Sequence, residues 1–212
     1  MSQLLDELGG DERMRAERVL AACPRIEIPR GRAAWADAAL FVVERGIIVL
    51  AAADARRIAI AVVGAGEVLA PLAAGEELRG LTDARVTAMT RDAERALLRI
   101  PAVAQLIADA LVAALRERKA SLANFARFPH VERVRGKFLQ LARSHGRVSG
   151  HGVLIRLPLT HDLLAGMVGS ARETVTWAIR ELVEEGFVSR EGRLYRLHVP
   201  PEEIQGDRRP AP

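Results

Sequence analysis

Cysteine is nearly absent from this 212-residue chain. Its single thiol, Cys23, excludes an internal disulfide and suits a reducing cytoplasm. One cysteine also falls short of the roughly four that an iron–sulfur cluster needs, and of a cysteine-based structural zinc site. A lone thiol before Pro24 leaves two readings open, an oxidation sensor or a plain small side chain. Long apolar runs are missing as well. No segment approaches the ~20 apolar residues of a membrane span, and the polar, acidic N-terminus has no apolar h-region, so no signal peptide and no membrane partner are expected. Catalytic signatures are absent too. There is no Ser/His/Asp set, no paired carboxylates in a recognisable motif, no metal-ligand spacing and no Gly-x-x-x-x-Gly-Lys phosphate loop, so enzyme activity is not expected. The charge excess is small, with 31 Lys+Arg against 27 Asp+Glu, a formal net charge of +4. That permits nucleic acid as a partner without arguing for it. Nearly all the basic residues are arginine, which suits phosphate and guanine recognition; a GC-rich genome would give the same bias.

What is present concentrates between Leu159 and Leu182. The segment reads as two helices joined by a tight turn. Thr160 is placed to cap the first helix, with Asp162 near its positive end. Leu163, Leu164, Met167 and Val168 recur at helical spacing and should face a core, and Ala165 is small where a second helix must cross. Gly169 suits the left-handed turn. Ser170 and Glu173 have the spacing of a capping box that starts the second helix. At about 100° per residue, Ala171, Val175, Ala178, Ile179 and Leu182 share a packing face. Arg172, Glu173, Thr176, Trp177 and Arg180 share the outward face. Arg can bond guanine O6 and N7 bidentately and Glu can accept from cytosine N4, so this stripe suits a major groove. Thr160, Ser170 and Thr174 are candidate phosphate contacts beside it. The alternative is an amphipathic pair whose charged side is merely solvated.

The chain that follows tips the balance. Phe187 to Val199 reads as a β-hairpin turning at Glu191-Gly192, with Val153–Leu157 as a further strand. A hairpin directly after such a helix is a wing, which would lay Arg190, Arg193 and Arg196 against the phosphate backbone.

The run Val168-Gly169-Ser170-Ala171-Arg172-Glu173-Thr174-Val175 resembles the helix-turn-helix of the CRP/FNR family of bacterial transcription regulators. The resemblance implies that Arg172 and Glu173 read base edges. It also implies a third arginine one turn later, where this chain has Trp177, so the family's usual half-site is not carried over. Arg180 is left to reach either a base or a phosphate. The implied partners are double-stranded DNA, a second copy of the chain and RNA polymerase, in the cytoplasm.

Ahead of this lies a β-rich region, about residues 26–89. The short apolar runs Leu40–Val43, Ile47–Leu50 and Ile58–Val63 are punctuated by Gly31, Gly46, Gly64, Gly66, Gly75 and Gly80, as in a barrel or jelly-roll sandwich. It resembles the family's effector domain. Cyclic-AMP-binding members carry a Gly-Glu-Leu and an Arg-Ser/Thr-Ala around the nucleotide. Here the first element aligns with Ala70-Pro71-Leu72, so Pro71 replaces the ribose carboxylate. The nearest basic residues, Arg79 and Arg85, lie outside the required motif and are weak pocket candidates, read as surface charges. Neither cyclic AMP nor haem is expected, since the five histidines (His130, His145, His151, His161, His198) lie outside the β region; no cofactor is assigned and the effector is left unknown. Residues 103–128 repeat apolar side chains at three and four: Val103, Leu106, Ile107, Ala110, Leu111, Ala114, Leu115, then Leu122 and Phe125. The resemblance makes this a dimer seam; packing on the chain's own β region is the other reading, and both can hold if one stripe faces the partner and another the sheet. A further helix from His130 to about Ser144 would end at His145-Gly146, with Arg133, Arg135, Lys137 and Arg143 on its solvated side.

The expected architecture is therefore α+β. It comprises a jelly-roll-like effector domain (1–100), a dimerisation helix (101–129), a winged helix-turn-helix (130–204) and a disordered tail (205–212). The competing function is a small-molecule-binding β domain whose winged helix binds another protein.

Overall fold

A computed structural model describes residues 5, 8–53, 58–127, 129–200 and 204, so the expected tail and the side chain of Phe125 lie outside the described residues. The chain divides into two compact units, Met1–Arg118 and Lys119–Pro212.

The first unit opens with helix α1 (Gly10–Ala21), followed by eight strands: β1 (Arg25–Ile28), β2 (Ala33–Ala34), β3 (Leu40–Arg45), β4 (Ile47–Ala52), β5 (Ala59–Gly64), β6 (Val68–Leu69), β7 (Glu76–Gly80) and β8 (Ala84–Met89). They form two four-stranded antiparallel sheets, ordered β1-β8-β3-β6 and β2-β7-β4-β5. Helices α2 (Arg91–Leu98) and α3 (Pro101–Arg127) follow. Strand β3 shows why its run is continuously apolar. Phe41 and Val43 enter the core shared with Ile48, Leu50 and Leu78 of the other sheet. Leu40 and Val42 face the opposite way, into a second core with Leu20, Leu97, Ile100, Val103 and Ile107. A strand covered on both faces loses the hydrophobic–polar alternation of a half-exposed one. Cys23 is buried in that second core. Helices α1 and α2 carry this packing; their polar sequences gave no sign of it.

Helix α3 starts at Pro101, where the missing N–H costs nothing. Its apolar residues split into two sets. Val103 and Ile107 are buried in their own unit's core, and Leu111 packs partly against it. Ile107, expected on a dimer seam, is thus committed inside the subunit, with 4% of its surface exposed. Val112, Leu115 and Leu122 are exposed, the last at 68%.

The second unit contains helix α4 (His130–His145), strands β9 (Gly146–Ser149) and β10 (Gly152–Ile155), helices α5 (His161–Val168) and α6 (Arg172–Glu184), and strands β11 (Val188–Glu191) and β12 (Leu194–Leu197). The sheet order is β11-β12-β10-β9, antiparallel throughout. Its fourth strand, β9, is exposed along its whole length and has no apolar pattern to betray it. Helix α4 ends at His145 with Gly146 as its C-cap, as expected. Gly146 is extended (φ −85°), not left-handed. A side chain there would meet the Ala142 carbonyl oxygen at 2.1 Å, so close approach, not positive φ, calls for glycine.

Three basic residues expected on the solvated side of α4 are structural instead. Arg135 ion-pairs with Glu185 and Glu132 and stacks over the Phe187 ring at 4.6 Å. Lys137 is buried, donating to Ser121 Oγ and Gln140 Oε1. Arg133 donates to the Val168 carbonyl at the end of α5.

Candidate DNA interface

Helix α5 is capped by Thr160, whose Oγ1 accepts from the Leu163 amide at 3.1 Å. It ends at Gly169 in the left-handed conformation, φ 59° and ψ 44°, which a β-carbon would strain. The Ser170 amide then donates back to the Ala165 carbonyl at 3.1 Å, as in a helix-ending turn.

That geometry displaces the start of α6. Ala171, not Ser170, is the N-cap, and no side chain caps the helix. A capping box needs its acidic residue at the third helical position; with Ala171 as cap, Glu173 occupies the second. The Ser170 hydroxyl lies 2.7 Å from His130 Nδ1 instead, and Ala171, expected on the packing face, is exposed. Glu173 still sits at the positive end of the helix, where a carboxylate is favoured.

One face of α6 buries Val175, Ala178, Ile179 and Leu182. At about 1.5–3 kcal/mol per fully buried large aliphatic side chain, this face holds the helix to the unit, and Thr174 is half-buried beside it. Arg172, Glu173, Thr176, Trp177 and Arg180 are all exposed. Together with Arg190 of β11 they line one open groove of ≈ 670 Å³. Within it Arg172 Nη1 lies 3.7 Å from Asp162 Oδ2, both groups largely in solvent. Such a pair is worth little and yields readily to a competing acceptor.

Beneath the groove runs a chain of hydrogen bonds absent from the sequence reading. Thr176 Oγ1 donates to the Arg172 carbonyl at 2.9 Å. His161 Nδ1 contacts the same Oγ1 at 2.8 Å, and His161 Nε2 contacts the Tyr195 hydroxyl at 3.2 Å. Because Thr176 spends its proton on the carbonyl, its Oγ1 accepts from His161 Nδ1–H, and in the neutral ring Nε2 then accepts from the Tyr195 hydroxyl. Burial, reinforced by the charges of Arg190 and Arg172, holds the His161 pKa below its ordinary value. Tyr195 is buried, with its ring 5.1 Å from Phe138, and burial raises its pKa. The relay thus links the first helix, α6 and the wing.

In the wing, Arg193 sits exposed at the turn, and Arg190 Nε donates to the Gly192 carbonyl at 3.0 Å. Arg196 is otherwise engaged. Its guanidinium pairs with Glu191 and bonds Ser149 Oγ, and it holds the Glu191 carboxyl below the usual range.

The weak effector candidates are surface ion pairs. Arg79 pairs with Glu77, while Arg85 and Arg45 share Glu27 and lower its pKa. Among the described residues, no group of three or more His, Cys, Asp or Glu is placed to hold a metal ion, and no single helix is long and apolar enough to cross a membrane.

Comparison with known proteins bears on the same unit. Residues 132–201 match the profile of the Crp-like helix-turn-helix domain. The chain is 25% identical over 181 residues to the CRP-like cAMP-activated global transcriptional regulator of Mycobacterium tuberculosis, covering 79% of this chain and 81% of that one. Its fold matches that of a CooA variant from Carboxydothermus hydrogenoformans, with a TM-score of 0.76 and 16% identity over 96% of this chain and 94% of that one. It also matches FixK2 from Bradyrhizobium japonicum, with a TM-score of 0.70 and 19% identity over 90% and 100% of the two chains. The Mycobacterium tuberculosis relative is a transcription regulator and not an enzyme, and residues 132–201 of this chain form a Crp-like helix-turn-helix domain within a fold shared with CooA and FixK2.

Proposed function

We propose that the protein acts in the cytoplasm as a homodimer that reads a pseudo-palindromic DNA site without cyclic AMP, inserting α6 into the major groove. The observation that carries this reading is the groove in which Arg172, Glu173, Trp177 and Arg180 meet Arg190 of the wing. A base-reading stripe and a backbone-facing arginine share one surface, while the opposite face of the helix is buried. Exposed Leu115 and Leu122 on α3 support a seam with a second copy. Two-fold symmetry then sets half-sites about one helical turn apart. Thr160, Ser170, Thr174 and Arg193 flank the stripe as phosphate contacts, and RNA polymerase is the further partner of a bound regulator.

The Mycobacterium tuberculosis relative is cAMP-activated, but the residues here do not fit that nucleotide. Pro71 offers no carboxylate to a ribose, and Arg79 and Arg85 are both paired with glutamates. Selection from a random DNA pool with ligand-free full-length protein, at fixed near-physiological salt, tests the reading. Enrichment of a palindrome that is unchanged by added cyclic AMP is the expected result. No enrichment with folded dimer, or enrichment only with the nucleotide, refutes effector-free reading. Binding insensitive to salt would point to a protein partner for the winged helix instead.

A further inference from the structure

The outward face of α6 offers fewer polar groups to a base than its sequence suggests. The Thr176 hydroxyl has given its proton to the Arg172 carbonyl and is held by His161 from the other side. With the hydroxyl held on both sides, exposed Thr176 has no proton left to donate to a base, and its methyl group is the apolar surface it offers a ligand. Beside it, Trp177 is 58% exposed and lines the same groove. Val183, 46% exposed, extends the apolar surface along the groove. An indole carries one donor and no acceptor, so it has no bidentate pattern for guanine or adenine. Amid the charges of Arg172, Glu173 and Arg180, this is an apolar strip on a surface that otherwise reads hydrogen bonds. In the major groove the one apolar feature of a base edge is the C5-methyl of thymine, which apolar side chains contact directly.

We propose that Trp177, flanked by the methyl of Thr176, is a specificity-determining residue that selects thymine at one position of each half-site through its C5-methyl group. This rests on the DNA-reading function proposed above. Arg172 and Glu173 keep the hydrogen-bonded positions, and His161 acts indirectly by fixing which side of Thr176 faces the DNA.

The test uses full-length protein and duplexes carrying the selected site. Each thymine of a half-site is replaced singly by deoxyuridine, which removes the methyl and leaves the base-pair hydrogen bonds. Binding is measured by fluorescence anisotropy. One thymine per half-site should show a loss of about four-fold, the worth of about one buried methyl-sized group. Replacing both symmetric thymines should cost about fifteen-fold, and 5-methylcytosine should bind better than cytosine at that position. Trp177→Ala should bind the thymine and deoxyuridine duplexes equally. The proposal is overturned if no thymine is sensitive, or if Trp177→Ala keeps the difference. It is equally overturned if the position selects guanine and responds to 7-deazaguanine, since the indole N–H is then the reading group. In each of these cases specific binding persists and the DNA-reading function stands. Absence of any enriched site, with or without cyclic nucleotides, removes both.

Discussion

Replacing His161 by alanine should weaken the winged unit and uncouple the wing from α6. His161 makes two contacts, 2.8 Å to Thr176 Oγ1 and 3.2 Å to the Tyr195 hydroxyl. Each neutral hydrogen bond contributes about 1 kcal/mol net, and a buried hydroxyl left without a partner costs about 1–3 kcal/mol. Tyr195 is 1% exposed with the imidazole in place, so its hydroxyl relies on His161 as its partner. His161→Ala should therefore cost roughly 2–4 kcal/mol, and Tyr195→Phe alone about 1 kcal/mol. In the double variant the orphaned hydroxyl no longer exists, so the loss should fall short of the sum by about 1–2 kcal/mol. The chain has two units, and one bulk transition need not be two-state. Urea unfolding followed by circular dichroism should thus be paired with amide exchange across α5 and α6. Single and double variants that add to within about 0.5 kcal/mol would show that the 3.2 Å contact carries no coupling, and the relay would be refuted.

Further outcomes follow from the same geometry. The His161 pKa is lowered by burial and then by Arg190 and Arg172. The unfolded imidazole therefore binds its proton more readily. Stability of the unit should be full above about pH 6.5, the ordinary histidine value, and lost as pH falls below it through the folded value; His161→Gln should flatten that decline in an unfolding series. Arg172→Ala should lose about 1–3 kcal/mol of specific affinity and relax selectivity at one base pair; a uniform loss across all sequences would make Arg172 a phosphate contact. Arg193→Ala should weaken specific and random DNA alike and lower the salt slope by about one, and a changed sequence preference would sink the wing assignment. Leu122→Glu places charge on an exposed apolar position of α3 and should yield monomers by sedimentation, whereas an unaffected dimer would remove Leu122 from the seam.

The winged unit was legible because its signals are local. Thr160 caps at the expected position, Gly169 takes the left-handed turn, and the hairpin reverses at Gly192. The capping box failed because its motif is defined by spacing alone. The turn hydrogen bond from Ser170 to Ala165 shifted the helix start by one residue and gave the serine to His130. Helical periodicity allowed α3 one stripe for a partner and another for its own sheet, but it cannot assign each residue to its neighbour, and Ile107 serves its own core. The arginines of α4 were misread for the same reason. A cation on a polar face looks solvated until Glu185 and Phe187, about fifty residues on, pack beside it. The strand β9 and the His161–Tyr195 contact have no sequence signature, because each is defined by a partner remote in the chain.

The relay also bears on engineering. Regulators of this architecture invite redesign by transplanting the recognition helix into another scaffold. Here α6 alone would arrive without the two side chains that orient Thr176: His161 belongs to the preceding helix and Tyr195 to the wing. In a host lacking them the threonine hydroxyl keeps its bond to the Arg172 carbonyl but is released from His161, which frees its oxygen to accept from a base. A chimera carrying only 172–184 would then read a different site from its donor, while one that also carried positions 161 and 195 would keep the donor's preference.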